Sequence, residues 1–314
     1  MKNSFPTLGV IGGGDHARMF VAPSTALGID LLIYASDPND SAAQICKYEI
    51  GSYKDLDSIR EFAKKCDVVT FAHELIPLSI IRAIEADGVV VRPSSVVLEL
   101  SQNKEKTGKV LIDRPLDIDY EITVMVARSP HGQTTTWSPT LDVKKDEISV
   151  MTITPVPKLS QDLSERSQKM AIEIAKISGL VGVAAVEIFV KDEEMFISDL
   201  VMGPHNLGLW TIEGARTSQF EQHVRAVLDL PLGDPTMVAP IAVTGNLVAG
   251  KKSNMYRPYL HLMARTPALK FHQYRNEVSQ GHKTGHITLL GEILEDLMDE
   301  IQHAIDYMSG EIDE

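Results

Sequence analysis

Thr7-Leu8-Gly9-Val10-Ile11-Gly12-Gly13-Gly14-Asp15-His16-Ala17-Arg18 opens as an apolar run, turns on three consecutive glycines and continues into an amphipathic segment. Residues 7–11 predict a strand, 15–27 a helix and 30–35 a second strand. The alternation continues with a helix over 55–64, a strand over 67–71, a helix over 78–86 and a strand over 88–91. Apolar strands separated by helices need crossover connections, so this third of the chain specifies a doubly wound parallel sheet. Glycine at the strand–helix junction permits close backbone approach, and free N–H groups there favour an anion. Gly12, Gly14 and Ala17 satisfy the G-x-G-x-x-A dinucleotide pattern, with Asp37 standing where a ribose-binding acid would be. Asp15 places a negative charge at the same spot and opposes a phosphate. On the alternative reading, Gly12, Gly13 and Gly14 only permit a tight turn and close helix contact.

Beyond the polar stretch 101–109 the pattern changes. Residues 110–112, 120–127, 134–137 and 147–154 are β-branched runs separated by turns, the signature of antiparallel strands. A helix is predicted over 162–177, closed by Ser178-Gly179, and strands over 181–190 and 194–200 are joined as a hairpin by Lys191-Asp192-Glu193. A helix over 217–227 follows, then Leu230-Pro231-Leu232-Gly233-Asp234-Pro235, strands near 240–243 and 287–289, and a terminal helix over 292–308. The domain reading is 1–100, a linker at 101–109, a central α+β domain over 110–233 and a small C-terminal α/β lobe over 234–314.

The 314 residues carry 30 Lys and Arg against 43 Asp and Glu, a net charge of −13, which argues against broad binding of nucleic-acid backbone. No uncharged run reaches the roughly 18–20 residues of a membrane helix. Cys46 and Cys66 cannot build a disulfide framework, and the first residues lack a secretory apolar stretch, so a cytoplasmic location is expected.

Longer stretches carry a family resemblance: GVIGGGDHARM (9–19), DVVTFAHELIP (67–77), RPSSVVLELSQNK (92–104), DYEITVMVAR (119–128), VEIFV (186–190), PHNLGLWTIEGARTSQFEQHVRAVLDLPLG (204–233) and FHQYRNEVSQGHKTGHIT (271–288). Together they resemble the 5-(carboxyamino)imidazole ribonucleotide synthases, ATP-grasp ligases of purine biosynthesis. The resemblance implies a pre-ATP-grasp domain, an ATP-grasp domain, use of ATP and Mg²⁺, and carboxylation of an aminoimidazole ribonucleotide through carboxyphosphate. It also implies a homodimer.

Against that pattern the chain departs at reacting positions. The stretch 103–109 runs directly into 110–112, so the lid of the ATP-grasp domain is read as missing. Asp15-His16 replaces a Gln-Leu pair; Ala72 and Leu75 replace a glutamate and an asparagine around His73 and Glu74; Asp113 replaces a nucleotide-contacting glutamate. Glu187 matches one metal-binding acid, while Asp199 and Ser198 replace a glutamate and an asparagine. Gly203, Leu207 and Leu209 replace an arginine, a serine and a histidine. Asn276 and His282 replace a lysine and an arginine that the resemblance assigns to the substrate phosphate, with Lys283 retained.

These changes predict that ligase activity and the ATP and Mg²⁺ cofactors are lost. They predict a roomier, more apolar cleft between the lobes, binding a less charged small molecule. In that reading Asp15, His16, His73, Glu74 and His205 are the catalytic candidates. Gly12, Gly13, Gly14, Asn206, Leu207, Leu209 and Lys283 are the binding candidates, and Glu187 with Asp199 a metal pair, twelve residues apart on adjacent strands. A catalytically silent scaffold acting through subunit contacts and an NAD-dependent oxidoreductase are the other readings.

Overall fold

The first sheet of the computed structural model is parallel, with strand order β3-β2-β1-β4: β1 (Thr7–Ile11), β2 (Asp30–Ala35), β3 (Tyr48–Ile50) and β4 (Val68–Phe71). The structure describes residues 5–102, 118–146, 148–250, 256–276 and 281–312. β1 and β4 are buried almost throughout, because crossover helices cover both faces of a parallel sheet. Those helices are α1 (Asp15–Met19), α2 (Val21–Ala26), α3 (Leu56–Ala63), α4 (Leu78–Ala86) and α5 (Ser95–Gln102). The single helix predicted over 15–27 is thus two. Pro23 has no N–H to bond back toward residue 19, so the chain breaks register at Phe20. Asp55 caps α3 through Oδ1, which accepts the N–H groups of Asp57 and Ser58 at 3.1 and 3.2 Å. The strand predicted over 88–91 contributes only a bridge, Val69 to Val91, and α5 falls where the sequence reading had placed the edge of a linker.

Among the described residues the second sheet has nine strands, ordered β10-β9-β5-β7-β8-β11-β13-β12, with β6 on the flank of β5; the strand predicted over 110–112 lies outside them. They are β5 (Tyr120–Arg128), β6 (Thr134–Thr136), β7 (Thr140–Lys145), β8 (Ile148–Thr154), β9 (Gly182–Lys191), β10 (Glu194–Met202), β11 (Ile241–Val248), β12 (Lys270–Gln273) and β13 (Lys283–Gly291). All its pairings are antiparallel. The β9–β10 hairpin turns on Asp192 and Glu193, both with positive φ as the twist of a two-residue hairpin loop requires. Helices α6 (Gln161–Ser178), α7 (Thr211–Gly214), α8 (Gln219–Val227), α9 (Tyr256–Arg265) and α10 (Leu294–Ser309) complete the chain. β11 pairs with both β8 and β13, so one sheet runs across the boundary placed at residues 233–234. A Pro-Gly loop marks a turn in the chain, whereas strand pairing is decided by contacts distant in sequence.

The two sheets share their cores. One buried cluster joins Phe71 and Ile81 to Val124, Val186 and Met202; another joins Val10 and Phe20 to Leu209, Phe220 and Val224. His223 of α8 pins the junction. Its Nδ1 accepts the Val183 N–H at 3.2 Å, which leaves the proton on Nε2 to donate to Thr70 Oγ1 at 2.8 Å. Nearby, Arg92 Nη1 donates to the Val227 carbonyl at 2.7 Å.

Burial pushes the His223 pKa from 6.5 down to about 3. The unfolded chain therefore binds a proton that the folded chain refuses, and stability falls as pH drops below 6.5 toward 3. His223→Leu strands a buried N–H and a buried hydroxyl, which costs about 1–3 kcal/mol near neutral pH. The same substitution should flatten the acid dependence of the melting temperature below pH 6.5. Thermal melts across that range check both effects, and a variant as stable and as acid-sensitive as the parent contradicts the assignment.

Candidate functional site

The long central motif folds into a self-braced loop. Gln219 at the start of α8 holds His205 by both backbone groups, accepting its N–H with Oε1 and donating Nε2–H to its carbonyl, each at 2.8 Å. A Cβ on Gly208 would lie 2.7 Å from the Gln219 amide oxygen, which is why glycine stands there. Thr211 Oγ1 accepts the Gln219 N–H at 3.0 Å and donates to the Gly208 carbonyl at 2.6 Å. Trp210 and Trp137 are wholly buried, their indole N–H groups donating to Thr140 Oγ1 and the Thr217 carbonyl at 2.9 and 3.0 Å. The loop thus presents His205 and Asn206 in fixed positions. Sequence reading took Gln219 and His223 as part of a motif without giving them a task. Their burial is the missing signal, because a buried amide or imidazole has to be bonded.

Asn206 is where three segments meet. Its Oδ1 accepts from Lys283 Nζ at 3.0 Å and from His16 Nε2 at 3.3 Å. Lys283 lies over the Tyr274 ring at 5.7 Å. Asp15 Oδ1 accepts from Asn276 Nδ2 at 3.0 Å, and the same amide reaches the Lys283 carbonyl at 3.3 Å. The catalytic candidates Asp15 and His16, though adjacent, are bonded to different partners. Consecutive helical residues point about 100° apart, and these two serve different partners. Burial drives His16 down to about 4, with Lys283 nearby acting in the same direction, instead of the upward shift an adjacent carboxylate would give. Burial also lowers Lys283 to about 8, opposed by the Asp15 carboxylate, and raises Asp15 itself.

Beside this network lies a cavity of about 390 Å³ lined by Glu121, Asp142, Lys144, Glu187, His205, Asn206, Leu207 and Lys283, among others. Asp199 stands opposite Glu187 in the β9–β10 register, where paired side chains share a face. Burial, then Asp199 and Glu121, push Glu187 up to about 7, with Lys144 opposing. Lys144 Nζ lies 2.6 Å from Glu121 and 3.7 Å from Asp142, and Ser149 Oγ donates to Asp142 at 2.5 Å. His205 Nε2 is 3.6 Å from Glu187 Oε1, and burial lowers its pKa to about 4. Adjacent hard oxygens in a field of excess negative charge suit Mg²⁺. Among the described residues no group of three or more His, Cys, Asp or Glu side chains is placed to hold a metal. A two-carboxylate site that leaves positions for phosphate oxygens and water is how Mg²⁺ is usually held.

The expected roomy apolar cleft is therefore corrected to a charged one. Leu209 is fully buried in the core, Leu207 is 6% exposed, and Leu75 is 83% exposed on the outside. Leu209 joined the core and Leu75 left for the surface; of the three, Leu207 alone reaches the cavity wall, where its neighbours are charged and polar. His73 packs beneath the glycine turn. Gly12 has φ +115°, and a Cβ there would lie 2.9 Å from the His73 ring, which stands edge-on to Tyr53 at 5.1 Å. Glu74 accepts the Met202 N–H at 2.5 Å and so tethers β10 to the first sheet, away from the cavity lining. The dinucleotide reading also fails on geometry. The Gly12 N–H donates to the Tyr34 carbonyl at 2.9 Å and the Gly13 N–H to Tyr53 Oη at 3.3 Å, Gly14 caps a helix of only five residues, and Asp37 is occupied by the Asn39 N–H at 2.7 Å. Asp113, and residues 103–109 where the missing lid was placed, lie outside the described residues.

The Ribonucleotide synthetase preATP-grasp domain family matches residues 5–102, and the ATP-grasp domain family matches residues 85–220. An N5-carboxyaminoimidazole ribonucleotide synthase of Mycobacterium tuberculosis is 32% identical over 377 residues, covering 97% of this chain and 88% of the relative. That alignment is longer than the 314-residue chain, so the relative carries residues with no counterpart here. The Aspergillus clavatus enzyme in complex with ATP superposes with a TM-score of 0.83 at 23% identity, over 98% of this chain and 99% of that one. The same enzyme in complex with ADP and 5-aminoimidazole ribonucleotide gives 0.85 at 24% identity, with the same coverage. This likeness, 32% identical over 97% of the chain to a synthase of the ATP-grasp class, overturns the expectation of lost ATP and Mg²⁺, which had rested on the missing lid and the replaced cationic positions.

Gln219→Ala should leave the His205 N–H and carbonyl unsatisfied, at a cost of about 1–3 kcal/mol. Gln219→Glu retains the acceptor but sets a carboxylate oxygen against the His205 carbonyl. Hydrogen exchange should then show faster exchange at the amides of His205 and Leu207 in both variants, and unchanged protection there contradicts the bracing role.

Proposed function

The chain belongs to the N5-carboxyaminoimidazole ribonucleotide synthase family, and from that premise we propose that it is an ATP-dependent ligase that carboxylates an aminoimidazole-type amine. The observation that carries the proposal is the charged cavity lined by Glu187, with Asp199 opposite it in the β9–β10 register. Under this reading the two carboxylates hold Mg²⁺. Glu187, raised to about 7, gains a cation as its counter-charge. Bound MgATP supplies the phosphoryl group that activates bicarbonate. The chain's own residues arrange the site around that event. His205, neutral and locked by Gln219, keeps Nε2 toward Glu187, and Lys144 offers a cation held in place by Glu121 and Asp142. The loss of ligase activity read from the sequence rested on a missing lid, whose place falls outside the described residues, and on replaced cationic positions; family membership and the charged cavity support retained ligase chemistry.

MgATP should raise the melting temperature through preferential binding to the folded state. Bicarbonate together with 5-aminoimidazole ribonucleotide or its riboside should then stimulate ADP release. Glu187→Gln and Asp199→Asn should each weaken the Mg²⁺-dependent part of nucleotide binding at least tenfold, read by titration with and without the metal. Absence of both a thermal shift and acceptor-stimulated ADP release supports a silent scaffold instead.

We further propose a homodimer, joined through an edge of the nine-stranded sheet, since an edge strand presents unpaired N–H and C=O groups. Sedimentation at micromolar concentration should give twice the 34.6 kDa chain mass, and a stable monomer opposes it.

A further inference from the structure

Lys283, which lines the cavity, is held from two directions by the same loop. Asn206 reaches it directly, its Oδ1 accepting from Nζ at 3.0 Å, and on another side the ammonium lies over the Tyr274 ring at 5.7 Å. That ring is itself fixed. Its hydroxyl shares a hydrogen bond of 2.7 Å with His286 Nδ1, and His286 stacks on His272 with ring centroids 4.4 Å apart and planes 10° from parallel. His272 Nε2 in turn donates to Glu213 Oε1 at 2.7 Å. Glu213 belongs to α7, in the same braced motif that presents Asn206. The contacts therefore close a ring that leaves the loop at Asn206, passes through Lys283, Tyr274, His286 and His272, and returns to the loop at Glu213.

Local structure makes this ring possible. His272 and His286 are opposite one another in the antiparallel β12–β13 register, so their side chains share a face. A Cβ on Gly285 would collide with the His272 carbonyl oxygen, and glycine lets the two strands approach there. Tyr274 is pinned by its backbone as well, its N–H donating to the Thr284 carbonyl at 2.9 Å and its carbonyl accepting from Ser41 Oγ at 2.6 Å. Tyr274 and His286 are both fully enclosed. Burial first, then the neighbouring His272, Lys283 and His16, drives the His286 pKa well below 6.5, so the imidazole stays neutral and does not repel the ammonium.

We propose that Glu213, His272, His286 and Tyr274 are positioning residues that fix Lys283 at the cavity wall, so that an anionic group entering the cavity meets one ammonium in one place. None of the four lines the cavity, and they act through Lys283. A lysine stem has many rotamers to lose on ordering, and the ring removes that freedom before any ligand arrives. The inference rests on the ligase reading above only in taking this cavity as the working site.

The test is trace acetylation of the full chain with acetic anhydride from neutral to alkaline pH, read at each lysine by mass spectrometry. In the unmodified protein Lys283 should titrate at about 8, lowered by burial and opposed by Asp15. Glu213→Ala and Tyr274→Phe cut the ring at its far and near ends. Each should let the ammonium swing toward solvent and move its midpoint upward by about 1 or more, toward the ordinary 10.5, with the other lysines unmoved. Glu213→Gln, which keeps an acceptor for His272 Nε2, should retain the parent profile. Tyr274→Phe removes a single oxygen from a packed ring and decides the matter if Glu213→Ala does not fold. An unmoved Lys283 midpoint in the folded variants overturns the proposal even where they melt earlier, because a merely structural role lowers the melting temperature without touching Lys283. The measurement needs no nucleotide, so failure of MgATP to shift the melting temperature falls on the ligase reading alone.

Discussion

Everything at the site depends on the docking of a parallel sheet against an antiparallel one. The glycine turn and the His73–Glu74 loop grow from the first sheet, and the acidic cavity and the braced loop from the second; neither half holds a complete constellation. The contact is mostly apolar, with residues of both sheets in the same buried clusters, and apolar burial sets proximity without setting register. Register comes from a few directional bonds. His223 ties Thr70 to Val183, Glu74 ties its loop to the Met202 N–H, and Arg92 reaches the Val227 carbonyl. A buried imidazole bonded at both nitrogens is well suited to this task, since any sliding strands a polar group at a cost comparable to a lost hydrogen bond.

Local features of the fold were legible because they are written in local chemistry. The Gly179 end of α6 lies where Ser178-Gly179 placed it, and the β9–β10 hairpin turns within 191–193, on Asp192 and Glu193. The break at Phe20 was missed because the apolar period continues through it, while the cause is a single absent N–H at Pro23. The joining of β8 to β11 could not be read at all, since pairing across some ninety residues leaves no mark in either strand.

At the site, legibility followed the same division. The opposition of Glu187 and Asp199 came from counting residues across a hairpin, and the register agrees. The apolar cleft was misread for a physical reason. A substitution toward leucine says that a position became apolar, and leaves open whether the side chain lines a cavity, enters the core like Leu209, or faces solvent like Leu75. Likewise Asp15 and His16 are neighbours in sequence, yet helical geometry sends them to Asn276 and Asn206 respectively.

The substitutions around Lys283 make sense only as a set. An aspartate at position 15 with no partner would be a half-buried charge facing a desolvated lysine, and Asn276 supplies the hydrogen bond that its carboxylate needs. A histidine at position 16 without Asn206 would bury an unbonded imidazole, yet Asn206 accepts from His16 and Lys283 at once. Groups sharing partners in this way couple non-additively, so single reversions measure the broken network more than the individual side chain. The network therefore satisfies its own hydrogen bonds: cation, anion, amide and imidazole each have a partner within the protein. The carboxylate-rich cavity beside it has no such internal balance, with Glu121, Asp142 and Glu187 against Lys144 and Lys283.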